Sequence, residues 1–525
     1  MKRFIRIVLF LLSVLILLTG CKKSTQTVSD DEMIEIDFML SSSAAGAEKF
    51  IWNNILEKKF RLKVNFEMAA QQPHLEKVNL LVASNNLPDL VSPLPSDTAK
   101  KLGISGMLID FNEYKESMPN FFNAIKKDPV AYASMFADDG GLYIAPQCTE
   151  EADLVAQFRY VPTLRTDLLQ EVGMEVPTTY DELYQVLKAI KQKHPEVVGI
   201  INRTGTQIFN DIGFTFGARS DVHYNFEEDR FVFGPERENY KEMLKYLHKL
   251  WNENLLDPEL FTASTAQFEA KLINGLGVFY MDWAGYSYRY SRAHKELLKG
   301  GEDNFILTPI NPICPDIYPK RVYQLMESTN IFCSMVVSSL TEAPERIVKF
   351  IDWLYSEEGM DIAQYGIKNE HYSITPEGKY KFLNHIVADY NPGATVARDT
   401  ELGINLPHMK RVITNKEHQE FDKYSLNTRE ALSKYAENGI GYIPANGGIN
   451  LTYTEAEIEE KNAIENDITT AVNEWSIGLV TGQRSFDDYD QFIAEVKAKG
   501  VDRLVEIANT AYARFKERMN EIKNN

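Results

Sequence analysis

Cysteine is scarce in this chain. Four are present among 525 residues, Cys21, Cys148, Cys314 and Cys333. Three internal cysteines are too few for a disulfide framework. A Cys314–Cys333 bridge is open to the sequence, but unpaired structural thiols are the expectation. No CxxC spacing occurs, and the nine histidines are scattered, which argues against zinc. The G-x-S-x-G, H-E-x-x-H, Walker A and G-x-G-x-x-G patterns are all missing. Asp30-Asp31 and Asp138-Asp139-Gly140-Gly141 lack the spacing of a calcium loop. No metal and no cofactor are therefore expected, and no catalytic residue is assigned. Positive charge is also in deficit. The formal net charge is −19, which argues against nucleic acid as a partner and against a basic membrane-binding patch. Long apolar runs are missing after the first twenty residues, so no later segment reads as a transmembrane helix.

What is present begins at the amino terminus. Lys2, Arg3 and Arg6 precede an apolar run from Ile7 to Leu18 that only Ser13 interrupts. This is the charged and hydrophobic pair of regions of a secretory signal, too short to span a bilayer, which takes about 20 apolar residues. It ends in Leu18-Thr19-Gly20-Cys21, which resembles the lipobox of bacterial lipoproteins. That resemblance implies cleavage before Cys21 and a diacylglycerol on its sulfur. Each buried methylene adds about 0.8 kcal/mol, and stable anchoring takes more than one chain. The polar, unpatterned residues 21–32 read as a flexible tether. The expected location is the extracytoplasmic face of the cell membrane, held by lipid.

The remaining length suggests two to four domains at about 150 residues each. Ile34, Ile36 and Phe38 alternate as a strand, a helix follows around Glu48–Lys59, and Lys63–Glu67 reads as a second strand. A helix carrying Leu75, Val78, Leu81 and Val82 then leads into Leu87–Val91. Strand–helix alternation of this kind predicts an α/β lobe with a mostly parallel sheet. Ligands bind outside the carboxyl ends of such strands, and Asp89 is placed there. Thr179 and Glu182 form a capping box, followed by a buried stripe of Tyr180, Leu183, Tyr184 and Leu187. Gly277–Trp283 reads as a buried strand that ends at an exposed loop. Ile347, Phe350, Ile351 and Leu354 mark another amphipathic helix, and the tail is helical from about Ala456 to Gly478.

Four stretches carry a family resemblance. They are Asn86–Val91; Leu164–Leu169 continuing to Pro177–Leu183; Met281-Asp282-Trp283; and Phe350–Gly359 continuing to Tyr365–Tyr372. Together they resemble the extracellular solute-binding proteins of family 1, the lipoprotein receptors of carbohydrate ABC importers. Asn369 stands where these proteins often have Gly, a small departure because both tolerate the left-handed region. The resemblance implies an α/β, two-lobed, periplasmic-binding-protein-like (type II) fold with a hinge and an interlobe cleft. One lobe is expected over 33–157 plus approximately 325–375. The second is expected over 158–324 plus a C-terminal helical region of approximately 376–525. It further implies a monomer that closes on a carbohydrate, with an oligosaccharide favoured by the chain length, and that meets the permease subunits of an ABC importer.

Aromatic residues make up 11% of the chain. Tyr and Trp offer a flat apolar face with a polar handle, which suits sugar rings. Trp283 leads the ligand-binding candidates, with Tyr286 close behind it in a run that includes Tyr288 and Tyr290. Trp52 is the candidate for the opposite wall. Asp89 is the candidate for sugar hydroxyls, and Tyr143 resembles the family segment that leads into the hinge. Arg165 and Asp167 read as structural. Two other classes stay open at this point: a surface-tethered glycoside hydrolase, since paired carboxylates are not excluded, and a receptor for a peptide or other non-sugar solute on the same fold.

Overall fold

The computed structural model describes residues 31–42, 46–151, 158–298, 304–320, 322–325 and 329–376, short stretches between 378 and 434, and residues 441–444 and 449–524. The secretory signal and Cys21 lie outside the described residues.

The chain begins with β1 (Ile34–Ser41), where Ile36 and Phe38 turn inward at 1% exposure as their alternation predicts. β2 (Leu62–Ala69) and β3 (Leu90–Leu94) both run parallel to β1. β4 (Ala145–Glu151) then leaves this first sheet, and β5 (Phe158–Arg165) enters a second one. There follow β6 (Val198–Ile200), the hairpin of β7 (Val222–Asn225) and β8 (Arg230–Phe233), β9 (Gly277–Trp283), β10 (Leu307–Pro309) and β11 (Val322–Leu325). β12 (Thr329–Val337) returns to the first sheet.

The first sheet has the order Lys410–Ile413, β4, β12, β3, β1, β2. The second has the order Gly441–Pro444, β11, β5, β9, β6, with β10 added on β5. The chain thus changes sheet three times. The first two passages run side by side in opposite directions: β12 is antiparallel to β4 in one sheet, and β11 to β5 in the other. The third runs parallel to its neighbour in both sheets, Lys410–Ile413 on β4 and Gly441–Pro444 on β11. Multiple passages of the chain between two bodies are where a hinge rotation is absorbed.

Each lobe has its own core. In the first, Phe38, Leu56, Phe111, Phe121, Val336 and Ile351 pack together. In the second, Leu183, Phe209, Leu244, Phe279, Trp475 and Phe492 do the same. The stretch after residue 376 differs from the sequence expectation. Ile404 belongs to the first lobe's core, and Lys410–Ile413 joins its sheet, so the chain returns to the second lobe only beyond them.

Local signals account for most helices. Thr179 Oγ1 accepts from the Glu182 amide at 3.1 Å, while the Glu182 carboxylate accepts from the Thr179 amide at 3.2 Å. This box starts the helix Tyr180–Lys193, whose stripe of Tyr180, Leu183, Tyr184 and Leu187 is buried. The helix Pro344–Leu354 buries Ile347, Phe350, Ile351 and Leu354. Asn369 has φ 68, the left-handed conformation its position requires. The tail helix runs on past Gly478 as Glu455–Thr481 and ends at Gly482, φ 77. Gly478 is no stop. A Cβ there would meet the Arg484 side chain at 2.9 Å, and that guanidinium stacks 3.7 Å from the Trp475 ring centre.

The last helix, Val501–Asn524, touches both lobes. Ala508, Ala511, Tyr512 and Phe515 form a small core with Ala133 of the first lobe and Phe231 of the second. Arg518 donates to the carbonyls of Phe136 and Ala137 at 3.1 and 3.4 Å. No described helix is long and apolar enough to cross a membrane.

Candidate functional site

β9 runs parallel to β6 and extends four residues beyond it, from Phe279 opposite Ile200 to Trp283. This extension carries Asp282 and Trp283, and the chain after β6 delivers Arg203. Arg203 grips the Asp282 carboxylate through Nε at 2.7 Å and Nη2 at 3.1 Å. Asp282 also accepts from the Trp283 amide at 2.8 Å. With Asp282 2% exposed, this bidentate pair fixes the end of the strand from beneath.

Trp283 is only partly buried, as is Tyr160 of β5, which lies directly opposite it across the sheet. Their ring centres are 6.2 Å apart. Tyr286 lies on the far side of Arg203, whose guanidinium is 5.4 Å from its ring centre. The loop expected after Trp283 is instead a helix, Gly285–Leu297. Helical spacing therefore puts Tyr286 and Tyr290 on one face, 5.2 Å apart, and turns Tyr288 away.

A row of charges continues along the same wall. Asp211, in the helix Ile208–Phe216, is 5% exposed, and burial pushes its carboxyl up to about 7. Gln207, Arg219 and Arg203 work against that rise, while the charge of Asp282 adds to it. Arg219 in turn holds Asp221 at 2.7 Å.

Asp221 reaches a cavity of about 380 Å³ between the lobes. The first lobe supplies Ser96, Asp97 and Lys100 from the helix Ser96–Ile104, which starts just beyond the carboxyl end of β3. The Ser96 hydroxyl is buried and without a partner among the described residues. Lys100 donates to Ser134 O and Thr452 Oγ1 at 2.6 and 2.7 Å, and burial lowers its ammonium to about 8. The interlobe cavity is thus lined by polar and charged groups from the first lobe and by Asp221, Val222 and Phe231 from the second.

Of the sequence-predicted residues, Trp283 and Tyr286 lie on either side of the Arg203–Asp282 pair. The other three lie elsewhere. Asp89 precedes β3 rather than following it, so it stands at the amino end of the strand. Its carboxylate accepts from the Asp37 amide at 2.8 Å. Trp52 has no accessible surface. Its indole donates to Gly403 O at 2.6 Å, and its ring packs edge-on to Phe350, so it is core. Tyr143 is 7% exposed and donates to Asp139 at 2.7 Å, and its ring fills the space over Gly103 and Gly141.

Arg165 and Asp167 pair at 2.6 Å beneath Phe305, a structural role as expected. Cys148 and Cys314 are buried, and the Cys314 thiol donates to the Thr178 carbonyl at 3.9 Å. Sequence reasoning missed Tyr160, Arg203 and Ser96. For Arg203 the one available signal was Asp282, a charge inside an otherwise apolar strand.

A two-sheet fold with three crossings and a groove at the strand ends matches a known family over residues 54–367, more than half the chain. The chain belongs to the bacterial extracellular solute-binding proteins. Its relatives among these solute-binding proteins include FusA of Streptococcus pneumoniae serotype 4, a fructooligosaccharide ABC transporter substrate-binding protein. The two are 25% identical over 389 residues, 68% of this chain and 69% of the relative. YtcQ of Bacillus subtilis, a polygalacturonan/rhamnogalacturonan-binding protein, is 21% identical over 525 residues, 95% and 96% of the two chains. A solved HMO-binding, ABC-transporter-associated solute-binding protein from Bifidobacterium longum infantis shares the fold. Its TM-score is 0.73 at 17% identity, over 92% of this chain and 99% of that one.

Proposed function

We propose that this solute-binding protein captures an oligosaccharide in the groove between its lobes and hands it, chemically unchanged, to the permease of an ABC importer. Cys21 carries the lipid that holds the protein on the extracytoplasmic face. The observation that carries the reading is the part-buried Trp283–Tyr160 pair, with Tyr286 on the other side of the Arg203–Asp282 pair. Aromatic faces take up the C–H surfaces of sugar rings, while the guanidinium and hydroxyl groups beside them satisfy hydroxyls. Relatives whose names specify fructooligosaccharide and pectic polymers support the same ligand class.

Transport rather than hydrolysis fits the carboxylates nearest these rings. Asp282 and Asp211 are both buried, so neither is presented to a glycosidic bond. Closure is driven by whatever affinity the ligand has for the closed form over the open one.

The test is calorimetry of the full chain against parallel panels of oligosaccharides and short peptides, with a reducing-end assay on every glycan that binds. Binding of a glycan recovered intact supports the proposal. Binding of peptides alone, or release of new reducing ends, overturns it.

A further inference from the structure

A second cavity, of about 280 Å³, lies wholly within the second lobe. Its lining comes from residues 214–239 and Tyr318, and it shares no lining residue with the interlobe cavity. β7 and the turn before it separate the two: Asp221 and Val222 line the interlobe side, His223 and Tyr224 this one.

Two buried polar atoms on residues of this lining have no partner among the described residues, Arg219 Nε and His223 Nε2. Their characters differ. His223 Nδ1 is 3.0 Å from the Asp221 carbonyl, which can only accept, so Nδ1 carries the proton and Nε2 is a bare lone pair. Arg219 spends Nη2 on the Asp221 carboxylate, which leaves its Nε–H as a donor. One is a donor and the other an acceptor, the pair of roles that a neutral polyol ring offers in return.

The lining mixes aromatic rings with charged side chains that pair with one another or with close neighbours. Phe226 is 40% exposed there, edge-on to Tyr224 at 5.0 Å, and Tyr318 closes over Gly217. Glu228 is paired with Arg230 and Arg237, and Glu227 with Lys320.

We propose that this cavity is a second carbohydrate site, which takes a single neutral sugar ring beside the Arg219 and His223 side chains with a ring face on Phe226. Its volume falls just under the roughly 300 Å³ at which sites for larger small molecules begin, so it suits one ring and not a chain. The site goes beyond the interlobe reading and stands on its own lining.

The experiment uses the full chain and the methyl glycosides of glucose, galactose, mannose, xylose and N-acetylglucosamine, followed by saturation-transfer NMR with titration. Three variants accompany the wild type: Phe226→Ala at the exposed mouth, His223→Phe at the base, and Trp283→Ala in the groove. The expected result is that at least one glycoside binds wild type and Trp283→Ala alike, and binds Phe226→Ala at least about fivefold more weakly. His223→Phe, if folded, abolishes binding. Three results overturn the proposal: no glycoside binds, binding disappears in Trp283→Ala, or Phe226→Ala binds as wild type does. Failure here leaves the groove untouched, because Trp283→Ala reads that site separately.

Discussion

Two tryptophans that the sequence offers as opposite walls of one site should fail in opposite ways when cut to alanine. Trp283 sits at the end of β9 with part of its ring exposed and Tyr160 as its neighbour. Losing a partly exposed ring at a strand end costs less than emptying a core. About 1 kcal/mol is expected, the middle of the range for single substitutions. In a chain this long that is a melting shift of a few degrees. If Trp283 is the stacking platform, its loss removes an aromatic anchor worth about 2 kcal/mol, which raises Kd roughly 30-fold.

Trp52 is fully buried against Phe350 and bonded to Gly403. Its truncation opens a cavity and costs about 3–5 kcal/mol. It touches no groove, so the folded fraction should bind with unchanged affinity. Calorimetry with whichever glycan the panel identifies gives Kd, and scanning calorimetry gives stability. A Trp283→Ala protein that binds like wild type refutes the platform, and a Trp52→Ala protein as stable as wild type refutes the packing argument.

Three further predictions follow from single sites. Asp211 titrates near 7 in the folded protein and near 3.9 in an unfolded one, so between those values the folded state holds the extra proton. Its stability contribution therefore declines as pH rises through that window. Asp211→Asn should match wild type at about pH 4 and exceed it at pH 8 by on the order of 1–4 kcal/mol; melting curves whose difference ignores pH would contradict the burial argument. Thr179→Ala breaks the capping box and should cost about 1 kcal/mol with ligand affinity intact, and an unchanged melting temperature would count against it. Cys21→Ala should abolish labelling by radioactive palmitate and move the protein from the membrane fraction to the medium, while retained labelling would place the lipid elsewhere.

How much of this was readable beforehand depends on the range over which each residue is determined. The Thr179 box and the stripe after it are local, and both stand in the structure. The position of Trp283 was readable because a run of apolar residues leads to it as the end of a strand. Tyr160 was not, because its place opposite Trp283 is a matter of strand pairing between residues more than a hundred apart. Arg203 and Asp282 meet across 79 positions. Trp52 was misjudged for the same reason: Phe350 and Gly403 bury it from far along the chain. Asp89 fails on a finer point. Leu-Pro-Asp announces a strand nearby, but not whether the aspartate stands before or after it, and one end of a parallel strand faces the groove while the other faces away.

The helix Val501–Asn524 has a bearing on how such a protein is handled. Since it is wedged against Ala133 on one body and Phe231 on the other, any rotation between the bodies must shear one of those seams. An affinity tag or fluorophore fused beside Asn524 would thus sit on a moving joint, and would bias the very opening it was attached to report. Labels belong on the outer faces of the sheets, away from that last helix.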